Sequence, residues 1–399
     1  MHISSSLLHT LQADALALRD WLVAQRRALH ARPELSGHEV ETQRHVLDAL
    51  DALGIAAHPV DGCCAVVGLI EGALPGGTVA LRADMDALPV QEATGLPFAS
   101  QRAGVMHACG HDAHTAVLLG AARILQARRE ALPGRVKLLF EHAEETVGGA
   151  RDMLAAGCME DPHVDAVLGL HVMPDQPCGV VCMHPGAVSG SSDNITLTLR
   201  GHGCHGAYPD RGVDAIWLTA QVVTALQGLV SRETSPLDSA VLTFGTIAGG
   251  TAPNVLCGEV VLRGTLRTLR PETRARLKAR IGEVVQAVCA GLGGSGEAAI
   301  QTGYPPLLND VALTDAARDV ARAMLGAERV VTRGHPSMGV ESFSFFLERA
   351  PGFYYNVGCG QGPALHDAGF LLDEACLHDA AALQAALAWE VLQGLHQEP

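Results

Sequence analysis

Between Asp193 and Tyr304 the rhythm of apolar residues departs from that on either side, and this interruption dictates a fold in two parts. Upstream, helical and strand signals alternate: a helix near 16–32, a strand near 79–83, a helix near 113–127, a strand near 136–140 and an apolar strand over 166–172. Such alternation reads as an α/β unit. Inside the interruption NITLTL reads as a strand, 215–230 as a helix, AVLTFGTI and EVVLRGTL as strands, 271–290 as a helix and 297–302 as a last strand. The order βαββαβ matches a ferredoxin-like α+β unit with a four-stranded antiparallel sheet. Alternation resumes after Tyr304, with a helix near 313–325, a strand near 353–357 and a C-terminal helix. The expected organisation is an α/β domain in two parts, 1–190 and 304–399, with an α+β domain, 191–303, inserted between them. A chain of 399 residues exceeds what one hydrophobic core usually supports, which agrees with two units.

Bulk properties exclude several classes of function. Hydrophobic residues at 48% and charged ones at 18% describe an ordered globular chain. A formal net charge of −15, with no Lys/Arg cluster to overcome it locally, repels a phosphate backbone and argues against nucleic acid as a partner. No stretch reaches the roughly eighteen uninterrupted apolar residues of a membrane span. The N-terminal stretch lacks a basic leader followed by an apolar run, so the expected location is the cytoplasm. The 11 cysteines are scattered without compact spacing and read mostly as reduced packing residues.

Cys109 stands apart because of its company. Polar clusters fall at or just after the predicted strands or in the loops that follow: RADMD, HACGHDAH, EHAEE and LGLHV, with ALHD in a late glycine-rich loop. In open α/β sheets, reactive groups gather at the carboxyl ends of strands. Cys109 and His111 flank Gly110, which lets both side chains converge. Glu145 follows a buried strand, His171 ends another, and His366 lies in the late loop. Alone, Cys109 reads as a buried packing thiol, His171 as a core histidine, and Asp84 and Asp86 as turn residues; their coincidence at strand ends is what turns Cys109 and His171 into ligand candidates. Cys109, His111, Glu145, His171 and His366 are too many ligands for one tetrahedral zinc, and with a thiolate able to bridge they suit two adjacent divalent cations.

That assignment leaves Glu144 as the general base, taking a proton from the attacking water and returning it to the departing amine. Asp86 is expected to orient a ligand imidazole from behind, with His114 a weaker candidate for the same role. In the inserted domain, His205 sits in a small-residue loop and suits a developing oxyanion. Asn254 and Arg267 together are expected to bind a substrate carboxylate.

At these residues the sequence resembles hippurate hydrolase and the N-acyl-amino-acid amidohydrolases, relatives of aminoacylase and glutamate carboxypeptidase. The resemblance rests on LHARPELSGHE, VALRADMDALPVQE, HACGHDAHTAVLLGAA, EHAEE, LGLHV, GHGCHGAYPDRGVDAI, GGTAPNV and the ALHD loop, and spans nearly the whole chain. It implies a metal-dependent exopeptidase-like catalytic domain with an inserted ferredoxin-like lid that makes homo-oligomers. It also implies two divalent ions (zinc, manganese, cobalt or nickel), Glu144 as base, Cys109, His111, Glu145, His171 and His366 as ligands, and His205 as oxyanion stabiliser. Two departures stand out: Ser342 follows Glu341 where the family usually has aspartate, and Asp367-Ala368-Gly369 follows His366 in place of a small polar residue and proline. The expected reaction is hydrolysis of a small N-acyl-amino acid. The alternatives are a dipeptidase or carboxypeptidase with the same metals, or a silent metal-binding assembly protein.

Overall fold

The computed structural model describes residues 3–146, 148–332 and 334–396. The chain divides into two compact units: Met1–Gly186 with Leu308–Gly334 and Ser342–Pro399, and Ala187–Leu307 with His335–Glu341. The short segment His335–Glu341, expected from sequence in the second catalytic part, clusters with the inserted unit instead.

The first unit is built on an eight-stranded mixed sheet. In spatial order its strands are Ala56–Pro59, Val66–Glu71, Pro133–Glu141, Leu74–Asp84, Ala166–Met173, Gly352–Gly358, Val181–Cys182 and Val330–Val331. The four central strands, Pro133–Glu141 to Gly352–Gly358, run parallel to one another. Three of them are buried almost throughout and Leu74–Asp84 from Thr78 onward, which explains their apolar runs. Helices His111–Ala127 and Cys376–Leu395 are buried on nearly every side, as their alanine-rich sequences allow. The helix expected near 16–32 is two helices, Ser5–Ala17 and Arg19–His30, with Leu18 between them. Ser4 caps the first by accepting from Leu7 N.

The second unit is the ferredoxin-like domain. Its four-stranded antiparallel sheet has the spatial order Ser295–Thr302, Asp193–Arg200, Glu259–Thr268, Ala240–Gly249. Helices Ala215–Ser231 and Pro271–Gly291 pack on it. In the second helix the buried residues Thr273, Leu277, Ile281, Val285 and Cys289 recur every four positions, the stripe that a helix presents to a sheet. On the strand Asp193–Arg200, Ile195, Leu197 and Leu199 alternate inward against them. Among the described residues, no helix is long and apolar enough to cross a membrane.

Candidate metal centre

Parallel pairing brings the polar clusters to one edge of the first unit's sheet. Asp84 is level with Glu141, the last residue of its strand, and His171 is level with Asn356. The chain leaving Glu141 turns at once through Ala143, Glu144 and Glu145. The loop after Gly352–Gly358 returns at His366, whose N–H donates to Ala108 O over 2.8 Å. That bond fastens the late loop to the HACGH segment.

Gly110 makes the Cys109–His111 turn possible. It adopts φ +85°, and a Cβ there would meet Val172 Cγ2 at 2.4 Å, so any other residue would be both strained and obstructed. Helix His111–Ala127 starts immediately after it. Cys109 Sγ then lies 3.3 Å from His171 Nε2. His171 donates Nδ1–H to Val172 O over 2.6 Å, which leaves the Nε2 lone pair facing the sulfur.

His111 donates Nδ1–H to Asp86 Oδ1 over 3.1 Å, and its Nε2 faces Glu145 Oε1 at 3.8 Å and Asp84 Oδ2 at 3.7 Å. Asp86 accepts at its other oxygen from Ser36 Oγ at 2.6 Å and from Glu145 N at 3.0 Å. One carboxylate thus orients both a histidine and the backbone of a glutamate. His366 Nε2 sits 3.2 Å from Glu145 Oε1, with the histidine backbone in the left-handed region at φ +68°.

His114 has a different job from the one expected of it. Its Nδ1–H donates to Asp84 Oδ1 over 2.6 Å and its Nε2 accepts from Val172 N over 2.9 Å. Both ring nitrogens are therefore committed, and the residue braces Asp84 against the strand that carries His171. Asp84 is not a turn residue. It is fully buried, and Arg82 Nη1 reaches its Oδ2 over 2.7 Å. Arg82 also donates to Glu141 Oε2 at 2.6 Å and to Ser342 Oγ at 2.8 Å. Ser342 Oγ in turn reaches Glu141 Oε1 at 2.6 Å, and Ser342 N donates to Glu144 Oε1 at 3.1 Å. The serine that departs from the family pattern is thus a buried hub behind Glu144. At the second departure, Asp367 Oδ1 accepts from Gly369 N within the late loop over 2.7 Å, and Ala368 O accepts from Ala93 N over 2.8 Å, tying the loop to a distant segment.

The family model for peptidase family M20/M25/M40 matches residues 80–390, which include every residue of this cluster except Ser36. The chain belongs to that family. It is 39% identical to N-acetyl-L-cysteine deacetylase of Bacillus subtilis, over 91% of this chain and 86% of that one. It is 36% identical to thermostable carboxypeptidase 1 of Saccharolobus solfataricus, over 96% and 98% of the two chains. A crystal structure of a dinuclear metal-binding peptidase of family M20 from Bacillus subtilis superposes with a TM-score of 0.84 at 34% identity, covering 94% of this chain and 99% of that one. As an M20 protein the chain is a metal-dependent hydrolase of amide bonds, which sets aside a purely assembly-forming role.

The donor set of this M20 chain fits divalent cations. Cys109, His111 and His171 bring ligand atoms within 4.8 Å of one another, as do Cys109, Glu145 and His366, and His111, Glu144 and Glu145. The sulfur is common to the first two groups. Burial pushes the Cys109 thiol well above its ordinary range, so the sulfur needs a cation to become a thiolate. Burial, reinforced by His114, holds His171 well below the usual imidazole range, so it is neutral and ready to ligate. Burial opposes a charge on His111, but Asp84 and its other neighbours outweigh it and raise its proton affinity well above normal. A proton there occupies the position that a metal would take.

The inserted unit places the remaining expected residues. His205 pairs with Val255 across an isolated bridge, and Gly206 N donates to Asn254 O over 2.7 Å, so the loops of His205 and Asn254 lie side by side. His205 Nδ1 accepts from Ala207 N at 3.1 Å, which puts the ring proton on Nε2. Arg267 does not join them. It sits near the far end of strand Glu259–Thr268, roughly 26 Å along at about 3.3 Å per residue, and its Nη1 donates to Met338 O over 2.7 Å. One protomer cannot set Asn254 and Arg267 on the same small carboxylate.

Proposed function

We propose that this M20 protein hydrolyses the amide bond of N-acyl-amino acids, using two divalent cations held by Cys109, His111, Glu145, His171 and His366. The observation that carries the reading is the convergence of sulfur, imidazole and carboxylate ligand atoms at one sheet edge, with Glu144 among them. Divalent ions held there supply Lewis acidity, acidifying water and polarising a carbonyl. Zinc, manganese, cobalt and nickel all suit this mixture of sulfur, nitrogen and oxygen donors.

Glu144 is the proton carrier. Its carboxylate takes the proton of the attacking water and returns it to the nitrogen of the departing amino acid. Ser342 N–H steadies that carboxylate at Oε1. Asp86 keeps Nε2 of His111 turned toward the ligand cluster by holding Nδ1–H. His205 offers Nε2–H to the oxyanion that develops on the carbonyl, and Asn254 offers its amide to the substrate carboxylate. The exposed edge strand Ala240–Gly249, with Val241 and Ile247 outward, supports homo-oligomerisation through the inserted unit.

The deacetylase relative supports N-acyl substrates, whereas the carboxypeptidase relative supports a second reading with peptides. A panel of N-acetyl-amino acids, N-benzoyl-amino acids and dipeptides, assayed on metal-loaded protein, separates the two. Faster turnover of the N-acyl compounds is expected. Preference for dipeptides establishes the second reading, and no turnover of either class overturns both.

A further inference from the structure

The segment LHARPELSGHE is prominent in the sequence, yet none of its residues is a ligand or the base. We propose that Glu39, at the end of this segment, is a positioning residue that aims Glu144 by gripping the backbone of Ala143. The proposal rests on the reading of Glu144 as the proton carrier.

Glu39 is fully buried, directly before helix Val40–Ala52. Its Oε1 accepts from Gly37 N at 3.0 Å and from Ala143 N at 2.8 Å, across 104 residues of sequence. Ala143 has φ +51°, in the left-handed region that an alanine avoids because its Cβ crowds the backbone. It is the residue immediately before Glu144, so its backbone angles set the direction in which the base leaves the loop. The carbonyl of Ala143 is held as well, by Gly148 N at 3.1 Å. An unfavourable conformation clamped from both sides at a reacting loop persists only where its surroundings impose it.

A purely architectural role is already filled by another residue of the same segment. Glu34 Oε2 accepts from both Thr42 N at 2.8 Å and Thr42 Oγ1 at 3.0 Å, anchoring the helix without Glu39. The neighbouring ligand is held independently too, because Glu145 N donates to Asp86 Oδ2. Loss of the Glu39 carboxyl therefore lets Ala143 relax and turns Glu144 aside while leaving the cation ligands in place. A second contact from the segment, Ser36 Oγ on Asp86, supports the ligand side of the same loop.

The test compares kcat, KM and metal content of metal-loaded full-length protein in wild type, Glu39→Ala, Glu39→Gln, Thr42→Val and Glu144→Ala. Glu39→Ala should lower kcat by at least about tenfold with KM within about twofold and metal content unchanged. Glu39→Gln keeps an acceptor oxygen and should restore kcat to within about threefold of wild type. Adding Ala143→Gly to Glu39→Ala should recover part of the loss, since glycine adopts positive φ freely. Thr42→Val should lower stability without this effect on kcat. Where Glu39→Ala does not fold, Glu39→Met, which keeps the volume and lacks the acceptor, replaces it. Wild-type kcat in the Ala or Met variant overturns the proposal, as does a Gln variant no better than Ala. Turnover at the wild-type rate by Glu144→Ala instead overturns the reading of the base.

Discussion

Ser342 donates its backbone N–H to Glu144 Oε1 over 3.1 Å, joining positions 198 residues apart in sequence. Its hydroxyl simultaneously serves Glu141 and Arg82, so one small residue connects Glu144 to a buried ionic network. Ser342→Ala removes one acceptor from the Arg82 guanidinium and one donor from Glu141 Oε1, which keeps Ala150 N at 2.6 Å. A loss of about 1–3 kcal/mol is expected, read from urea unfolding of metal-free protein. An unchanged midpoint would show that the hydroxyl contributes nothing.

Arg82 stands between two fully buried carboxylates, Asp84 at 2.7 Å and Glu141 at 2.6 Å. Removing the guanidinium leaves anions that the interior cannot solvate. Arg82→Met should therefore cost about 3–5 kcal/mol, far more than the loss of a surface pair. Thermal unfolding of the variant beside wild type measures it.

Asp86 connects Ser36, His111 and Glu145 N through its two oxygens. Asp86→Asn weakens the hold on the His111 tautomer without touching a ligand atom. Metal affinity should fall about 10–100-fold, and Ser36→Ala should fall in the same direction by less. Competition against a chelator of known affinity gives both numbers.

His107 is buried, and burial pushes its imidazole down to about 4 from the ordinary 6.5. The unfolded chain binds this proton below about pH 6.5 whereas the folded chain refuses it until about pH 4. Its contribution is fully present above the unfolded value and is lost as the pH falls from 6.5 towards 4, with no further loss below. The span corresponds to about 3 kcal/mol. Denaturant unfolding of metal-free protein at a series of pH values should show this slope in wild type and a shallower one in His107→Leu.

Much of this fold is legible in the sequence because burial writes a period into it. Ile195, Leu197 and Leu199 alternate, and Leu277, Ile281 and Val285 recur every four residues, so strand and helix are distinguishable without coordinates. Helix Ser5–Ala17 leaves a weaker pattern, since its buried residues Leu8, Leu11 and Ala15 mark only a narrow stripe. In the candidate centre, Cys109, His111, Glu145, His171 and His366 stand out in the sequence because thiol, imidazole and carboxylate gather where strands end. The residues behind them carry no such mark. Ser342, Glu39 and the Arg82–Asp84–His114 chain act through contacts between distant segments, which no local pattern encodes. Arg82 does leave one trace, a cation inside an otherwise apolar strand that demands buried anions nearby. The separation of Arg267 from Asn254 along the strand is likewise not visible from residue type alone.

Five side chains of the first unit are proposed to hold a pair of cations. Anomalous diffraction from crystals of the full chain grown with manganese tests it most directly. Two peaks are expected, together bounded by Cys109, His111, Glu145, His171 and His366, with the sulfur adjoining both. A single peak, or peaks lying among other residues, would contradict the account.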